Sequence, residues 1–143
     1  MEKGRWGHNS AFHQEQVRVP LVIRLPGKEG GETSRMTSHL DIAPTLLPLL
    51  GVTNNSSDYA QGFDLLGPER RDFTIISDWS RVCYVDEKYK EVIPLTASSI
   101  MRGDTSARDD TPLADPTLFD QTHLDFLQQM MKGLGKFKRG ATS

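Results

Sequence analysis

Val17-Arg18-Val19-Pro20-Leu21-Val22-Ile23-Arg24-Leu25-Pro26-Gly27 predicts a strand that runs into a turn. Its β-branched residues favour a pleated backbone. Leu21-Val22-Ile23 puts apolar side chains on both faces, as in a strand covered on two sides. Pro20 has no donor and belongs near the strand start or at an edge. Pro26-Gly27 ends the run.

Before this strand lie sixteen residues with no period, read as a loop. After it, the polar residues 28–35, with Gly30-Gly31, read as an exposed loop. Then comes Ser38-His39-Leu40-Asp41-Ile42-Ala43-Pro44-Thr45-Leu46-Leu47-Pro48-Leu49-Leu50-Gly51. This predicts a helix with Asp41 at the N-cap, where a carboxylate accepts from the free N–H groups of the first turn. Pro44 then falls where a missing N–H costs nothing. Ile42, Leu46, Leu49 and Leu50 give an apolar stripe. Pro48 bends or shortens the last turn, and Gly51 stops it. A strand followed by such a helix belongs to an α/β unit.

The second half differs in style. Asn54 to Asp58 form a turn cluster, and Tyr59, Phe63, Leu65 and Leu66 are anchors for a long loop. Residues 73–77 predict a strand. Residues 81–95 predict a hairpin with its charged turn at Asp86-Glu87-Lys88. Residues 96–116 read as a polar linker. A helix is expected from Thr117, with Thr117 and Asp120 spaced as a capping box, and with Phe126, Met130 and Leu134 on its apolar face. The division is therefore 1–67, the end of an α/β domain, and 68–143, an antiparallel sheet with a helix.

Composition narrows the function. The 143 residues suit one domain of ordinary size. Lys+Arg 17 against Asp+Glu 19 leaves a net charge of −2, too weak a field to attract nucleic acid or an anionic membrane. No apolar run approaches the ~18 residues of a bilayer span, and the N-terminus lacks the apolar core of a targeting signal. Cys83 is alone, so neither an internal disulfide nor a cysteine zinc pair is available. Its strand-like flanks favour a buried, inert thiol.

The richest chemistry lies in Gly7-His8-Asn9-Ser10-Ala11-Phe12-His13. Gly7 allows close backbone approach. His8 can ligate a metal or donate to an anionic oxygen, and Asn9 and Ser10 add donors. His13 is a weaker candidate. His39 and Asp41 have the spacing of a ligand pair, but a helix cap beside a loop histidine explains them as well. Asp109-Asp110 reads as a solvated acidic turn and Arg70-Arg71 as a surface pair. No phosphate-cradling glycine loop and no Ser/His/Asp constellation is present.

These motifs, in order, resemble the back half of sulfatases in the alkaline phosphatase superfamily. Gly7 to Phe12 and Arg18-Val19-Pro20-Leu21-Val22-Ile23 match a site loop leading into a strand. Ser38 to Gly51 match the helix that follows, and Tyr59-Ala60-Gln61-Gly62-Phe63-Asp64-Leu65 a later loop. The nearest resemblance is to YejM-type inner-membrane sulfatase-like proteins of Gram-negative bacteria. It covers residues 4–95 well and the last helix in outline.

The resemblance implies an α/β fold, here the C-terminal portion of the alkaline phosphatase/sulfatase-like fold, closing with a small antiparallel sheet and a C-terminal helix. It implies hydrolysis or transfer at sulfate or phosphate esters, with a divalent cation in the parent protein and none bound by this chain alone. His8 takes the position of a late site residue on substrate or metal. Asn9 and His39 are weaker substrate or metal candidates, and Asp41 is structural. The family's nucleophile and main metal ligands lie upstream of the Arg-Val-Pro strand and are not found here. The chain is thus expected to be a truncated part, inactive by itself. Its implied partners are the upstream half of the same domain and, in a regulatory alternative, envelope or lipid-regulating proteins. The implied location is a periplasmic C-terminal domain on an inner-membrane parent.

Overall fold

The computed structural model describes residues 11–95 and 104–115, together with Phe126 and Lys132, both helical. Its elements are α1 (Gln14–Val17), a 3-10 turn at His39–Asp41 running into α2 (Ile42–Leu49), a second 3-10 turn at Ser56–Asp58, and strands β1 (Phe73–Ser77), β2 (Arg81–Asp86), β3 (Tyr89–Pro94) and β4 (Asp104–Ala107).

The four strands form one antiparallel sheet in chain order, β1-β2-β3-β4. Tight side-chain-stabilised turns set the register. Between β1 and β2, Asp78 Oδ1 accepts from Ser80 N at 2.9 Å and Arg81 N at 2.7 Å. Its Oδ2 accepts from Arg81 Nε at 2.7 Å. Between β2 and β3, Asp86 Oδ1 accepts from Lys88 N at 2.7 Å and Tyr89 N at 2.6 Å. Such Asx turns let a short polar loop reverse the chain. The charged turn expected at 86–88 is the one observed.

β2 carries the core. Val82, Cys83, Tyr84 and Val85 are all buried, so this central strand is covered on both faces. On one face Phe12, Cys83 and Val85 cluster with Val17, Ile76 and Val92. On the other, Tyr84 and Phe126 cluster with Phe73, Ile75 and Ile93. The Tyr84 ring lies 4.3 Å from Phe126 and 5.3 Å from Phe73, centroid to centroid. Each fully buried side chain of this kind contributes about 1.5–3 kcal/mol. Phe126 thus sits on the helix face that the apolar pattern assigned to it. The other positions of that face lie outside the described residues, as does the capping box at Thr117.

Three expectations fail. The strand over 17–25 does not form: Gln14–Val17 is a helical turn and residues 18–25 join no ladder. Val22 is 92% exposed, where burial on both faces was expected. β propensity registers a fit to a neighbouring strand, and no described strand runs alongside. The turn that should end it is present all the same. Lys28 N donates to Leu25 O at 3.2 Å across Pro26-Gly27, with Gly27 at φ 76°, which is type II geometry.

The polar linker 96–116 contains β4, whose Asp-Thr-Ser-Ala sequence has no apolar alternation to reveal it. An edge strand is held by its backbone ladder, here to β3, and needs no apolar face. The stripe on α2 is bare at its end: Leu49 is 52% and Leu50 79% exposed, while Pro44 and Thr45 are the buried residues.

Candidate functional site

Ser38 opens the His39–Asp41 turn with a capping box. Its hydroxyl accepts from Leu40 N, and Ser38 N donates to Asp41 Oδ2 at 2.7 Å. Asp41 stands at the N-cap of α2 but makes no side-chain cap bond there. Its carboxylate, 2% exposed, faces the other way. Oδ1 accepts from Phe63 N at 2.9 Å and pairs with the Arg71 guanidinium. Asp41 therefore ties the turn before α2 to the loop after it.

Polar bonds hold that loop more than its apolar residues do. Thr45 Oγ1 donates to Asp41 O at 2.6 Å and accepts from Leu65 N at 2.8 Å. The Arg35 guanidinium donates to the carbonyls of Asp64, Leu65, Gly67 and Glu69. Of the expected anchors, Leu66 is 52% exposed. Arg71 is buried and paired, which corrects its reading as a surface residue; Arg70 is exposed. Gly62 passes so close to the turn that a Cβ there would lie 2.0 Å from Leu40 O.

A second polar centre forms where the residues after the His8 loop meet the sheet. Lys90 on β3 is 2% exposed. Its Nζ donates to Phe12 O at 2.9 Å and to Asp110 Oδ1 at 2.5 Å. Asp110 Oδ2 accepts from Gln14 N at 3.0 Å, the first residue of α1. His13 Nδ1 stands 3.7 Å from Asp110 Oδ1. Gln14 Nε2 donates to Arg108 O at 2.8 Å. The Phe12 ring is buried against the sheet, with the Arg81 guanidinium carbon 5.0 Å from its centroid. Asp110 occupies the left-handed region at φ 73°, which an aspartate adopts only at a cost. Asp110 is thus an internal ligand of a buried lysine, not part of a solvated turn. Asp109 beside it does face solvent, and its carboxyl, bonded by Thr111, titrates below its ordinary value. Sequence gave no pointer to Lys90, because an isolated lysine in a strand reads as an outward residue.

His8 and Asn9 lie outside the described residues. His39 is exposed, in the turn before α2. Among the described residues no three His, Cys, Asp or Glu side chains come together as metal ligands, so these residues do not by themselves fit a divalent cation. Cys83 is fully buried, and that burial pushes its thiol up to about 12. It is no nucleophile at neutral pH. Burial, with the Asp86 carboxylate alongside, also raises the Tyr84 hydroxyl. What the described residues build is a scaffold with two buried ion pairs, one behind α2 and one beneath the segment that follows the His8 loop.

Comparison with known proteins fits this arrangement. The sequence model of the sulfatase family matches residues 2–52. That similarity covers about a third of the chain. The matched residues contain the His8 loop, the Arg-Val-Pro segment and α2, the parts on which the resemblance was drawn. Lipoteichoic acid synthase 1 of Bacillus subtilis is 37% identical over 79 residues, 54% of this chain and 12% of that protein. Inner membrane protein YejM of Salmonella typhimurium is 34% identical over 71 residues, 48% of this chain and 12% of that protein. Lipoteichoic acid synthase 2 of Bacillus subtilis is 41% identical over 56 residues, 38% of this chain and 8% of that protein. The chain therefore spans only a small part of the length of these sulfatase-like relatives. No helix among the described residues is long and apolar enough to cross a membrane.

Proposed function

We propose that this chain is the closing portion of a sulfatase-like domain that acts on sulfate or phosphate esters, and that it contributes scaffold and one substrate- or metal-facing residue, His8. The nucleophile and the principal ligands of a divalent cation belong to other parts of the parent protein. In such a domain the cation and nearby donors stabilise the negative charge that builds on the ester oxygens. An imidazole at His8 would donate to one of those oxygens or help hold the cation. Asn9 and His39 are secondary candidates.

The observation that carries this reading is the sulfatase match over residues 2–52, which brackets His8 and the segment after it. The bare apolar run supports it: Val19, Leu21 and Val22 are 54%, 49% and 92% exposed, a surface suited to a strand inside a larger sheet.

The test is turnover of aryl sulfate and aryl phosphate esters by the full-length protein with magnesium, manganese, calcium or zinc. The reading expects activity that falls at least tenfold in His8→Ala, and none from this chain alone. Turnover that tracks the isolated chain, or activity indifferent to His8→Ala, overturns it.

The match to an inner membrane protein favours one second reading, a regulatory envelope domain without turnover, on the periplasmic side of its parent. Full-length protein inert with every metal, whose loss nevertheless alters envelope lipid composition, would select it.

A further inference from the structure

We infer that Lys90 and Asp110 are positioning residues that anchor the segment following the His8 loop to the antiparallel sheet; the consequence for catalysis rests on the function proposed above, the anchoring itself does not. Lys90 Nζ grips a main-chain atom, the Phe12 carbonyl, at 2.9 Å. Asp110 grips another, the Gln14 amide, at 3.0 Å. The two side chains bind each other at 2.5 Å, closing a clasp around three consecutive residues of the N-terminal segment.

Both bonds tie main-chain atoms of the N-terminal segment to side chains from the far half of the sequence. Phe12 and Lys90 are 78 residues apart, Gln14 and Asp110 are 96 apart. A buried lysine is costly unless it is paired and hydrogen-bonded. Lys90 meets that demand with the Asp110 carboxylate and the Phe12 carbonyl, the second supplied by the segment it holds. Asp110 also sits at a strained φ of 73°, held there by the turn that follows β4. The Phe12 ring, buried against Cys83 and Val85 and covered by Arg81, seats the same point from the apolar side. His13, between the two gripped residues, has its Nδ1 3.7 Å from Asp110 Oδ1.

The clasp therefore fixes the chain four residues after His8, and it does so from the far half of the sequence. On the function proposed above, a site residue at position 8 is only as precise as the point where the chain after it is tied down. The antiparallel sheet supplies that point.

Removing one charge alone would strand the other in the interior, so the test removes both. Lys90→Met/Asp110→Gly keeps the volume at 90 and permits the positive φ at 110. Asp110→Asn, which retains an acceptor for Gln14 N, is the conservative comparison. Amide hydrogen exchange is followed in the full-length protein, together with kcat and KM on an aryl phosphate and an aryl sulfate ester. The amides of Gln16, Val17 and Arg18, bonded to His13 O and Gln14 O, report α1. The inference expects their exchange to accelerate at least tenfold in the double variant while β2–β3 amides keep their protection, with Asp110→Asn intermediate. It expects kcat to fall at least tenfold with KM within twofold. Unchanged exchange at 16–18, or loss of protection across the sheet as well, overturns the anchoring. Selective acceleration at 16–18 with unchanged kcat overturns the positioning role. If wild-type protein turns over neither ester, the proposed function falls, and exchange still decides the anchoring.

Discussion

Two short runs that begin and end on valine have opposite fates in this chain. Val82-Cys83-Tyr84-Val85 lies in the middle of a four-stranded sheet and is buried on both faces. Val19-Pro20-Leu21-Val22 joins no ladder and is exposed. Pro20 weakens the second run as a central strand, but that is the smaller difference. What separates them is the partner: β2 has neighbours on each side, joined by turns of three or fewer residues closed by Asp78 and Asp86. Residues 18–25 have no such hairpin on either flank. On the function proposed above they would pair in a parallel sheet, whose strands obtain their partners through long crossovers.

The contrast can be broken most forcefully at the buried run. Tyr84→Ala removes the ring that contacts both Phe73 and Phe126, and should cost about 3–5 kcal/mol, read by chemical denaturation. Val22→Ala, at the bare run, should change stability by less than about 0.5 kcal/mol in the isolated chain. Equal effects would erase the distinction. Asp41→Ala strands Arg71 without its buried partner and should cost a similar 3–5 kcal/mol or so.

Gly62→Ala is expected to be somewhat milder, about 1–3 kcal/mol, because the Leu40 carbonyl must move away. Gly31→Ala, where a Cβ meets nothing within 4 Å, is the control and should be near neutral. The smallest effect is the acid response of the β1–β2 turn. Burial pushes the Asp78 carboxyl up, but the Ser80 amide and the Arg81 guanidinium and amide outweigh it and bring it below its ordinary 3.8. The stabilisation from a depressed carboxyl is present above that value and is lost as pH falls through the folded one. The amides of Ser80 and Arg81 should therefore exchange faster only below about pH 4, before β2–β3 responds. Loosening near pH 6 would assign the turn to another group.

Much of this was legible in the chain itself. Alternating and β-branched residues marked β1 and the β2–β3 hairpin, the Pro26-Gly27 turn was read correctly, and Gly51, at φ 92°, ends α2 as expected. What stayed hidden was long-range and polar. β4 is an edge strand of Asp-Thr-Ser-Ala, and the hydrogen bonds that make it a strand leave no mark in composition. Asp41 read as a simple helix cap because its spacing fits one; its bonds to Phe63 and Arg71 join residues 22 and 30 positions away. The Lys90–Asp110 pair carries no sequence signature at all, since each residue alone is ordinary. The family motifs, by contrast, were recognisable from the His8 loop onward, and residues 2–52 bear them out.

The central proposal is that residues 18–25, unpaired here, pair as a strand with other parts of a sulfatase-like parent. Amide hydrogen exchange over 18–25, compared between this chain alone and the full-length protein, tests it most directly. The account predicts fast exchange in the isolated chain and protection slowed at least a hundredfold in the full-length protein, with β2 amides protected in both. Equally fast exchange at 18–25 in the two proteins would contradict it.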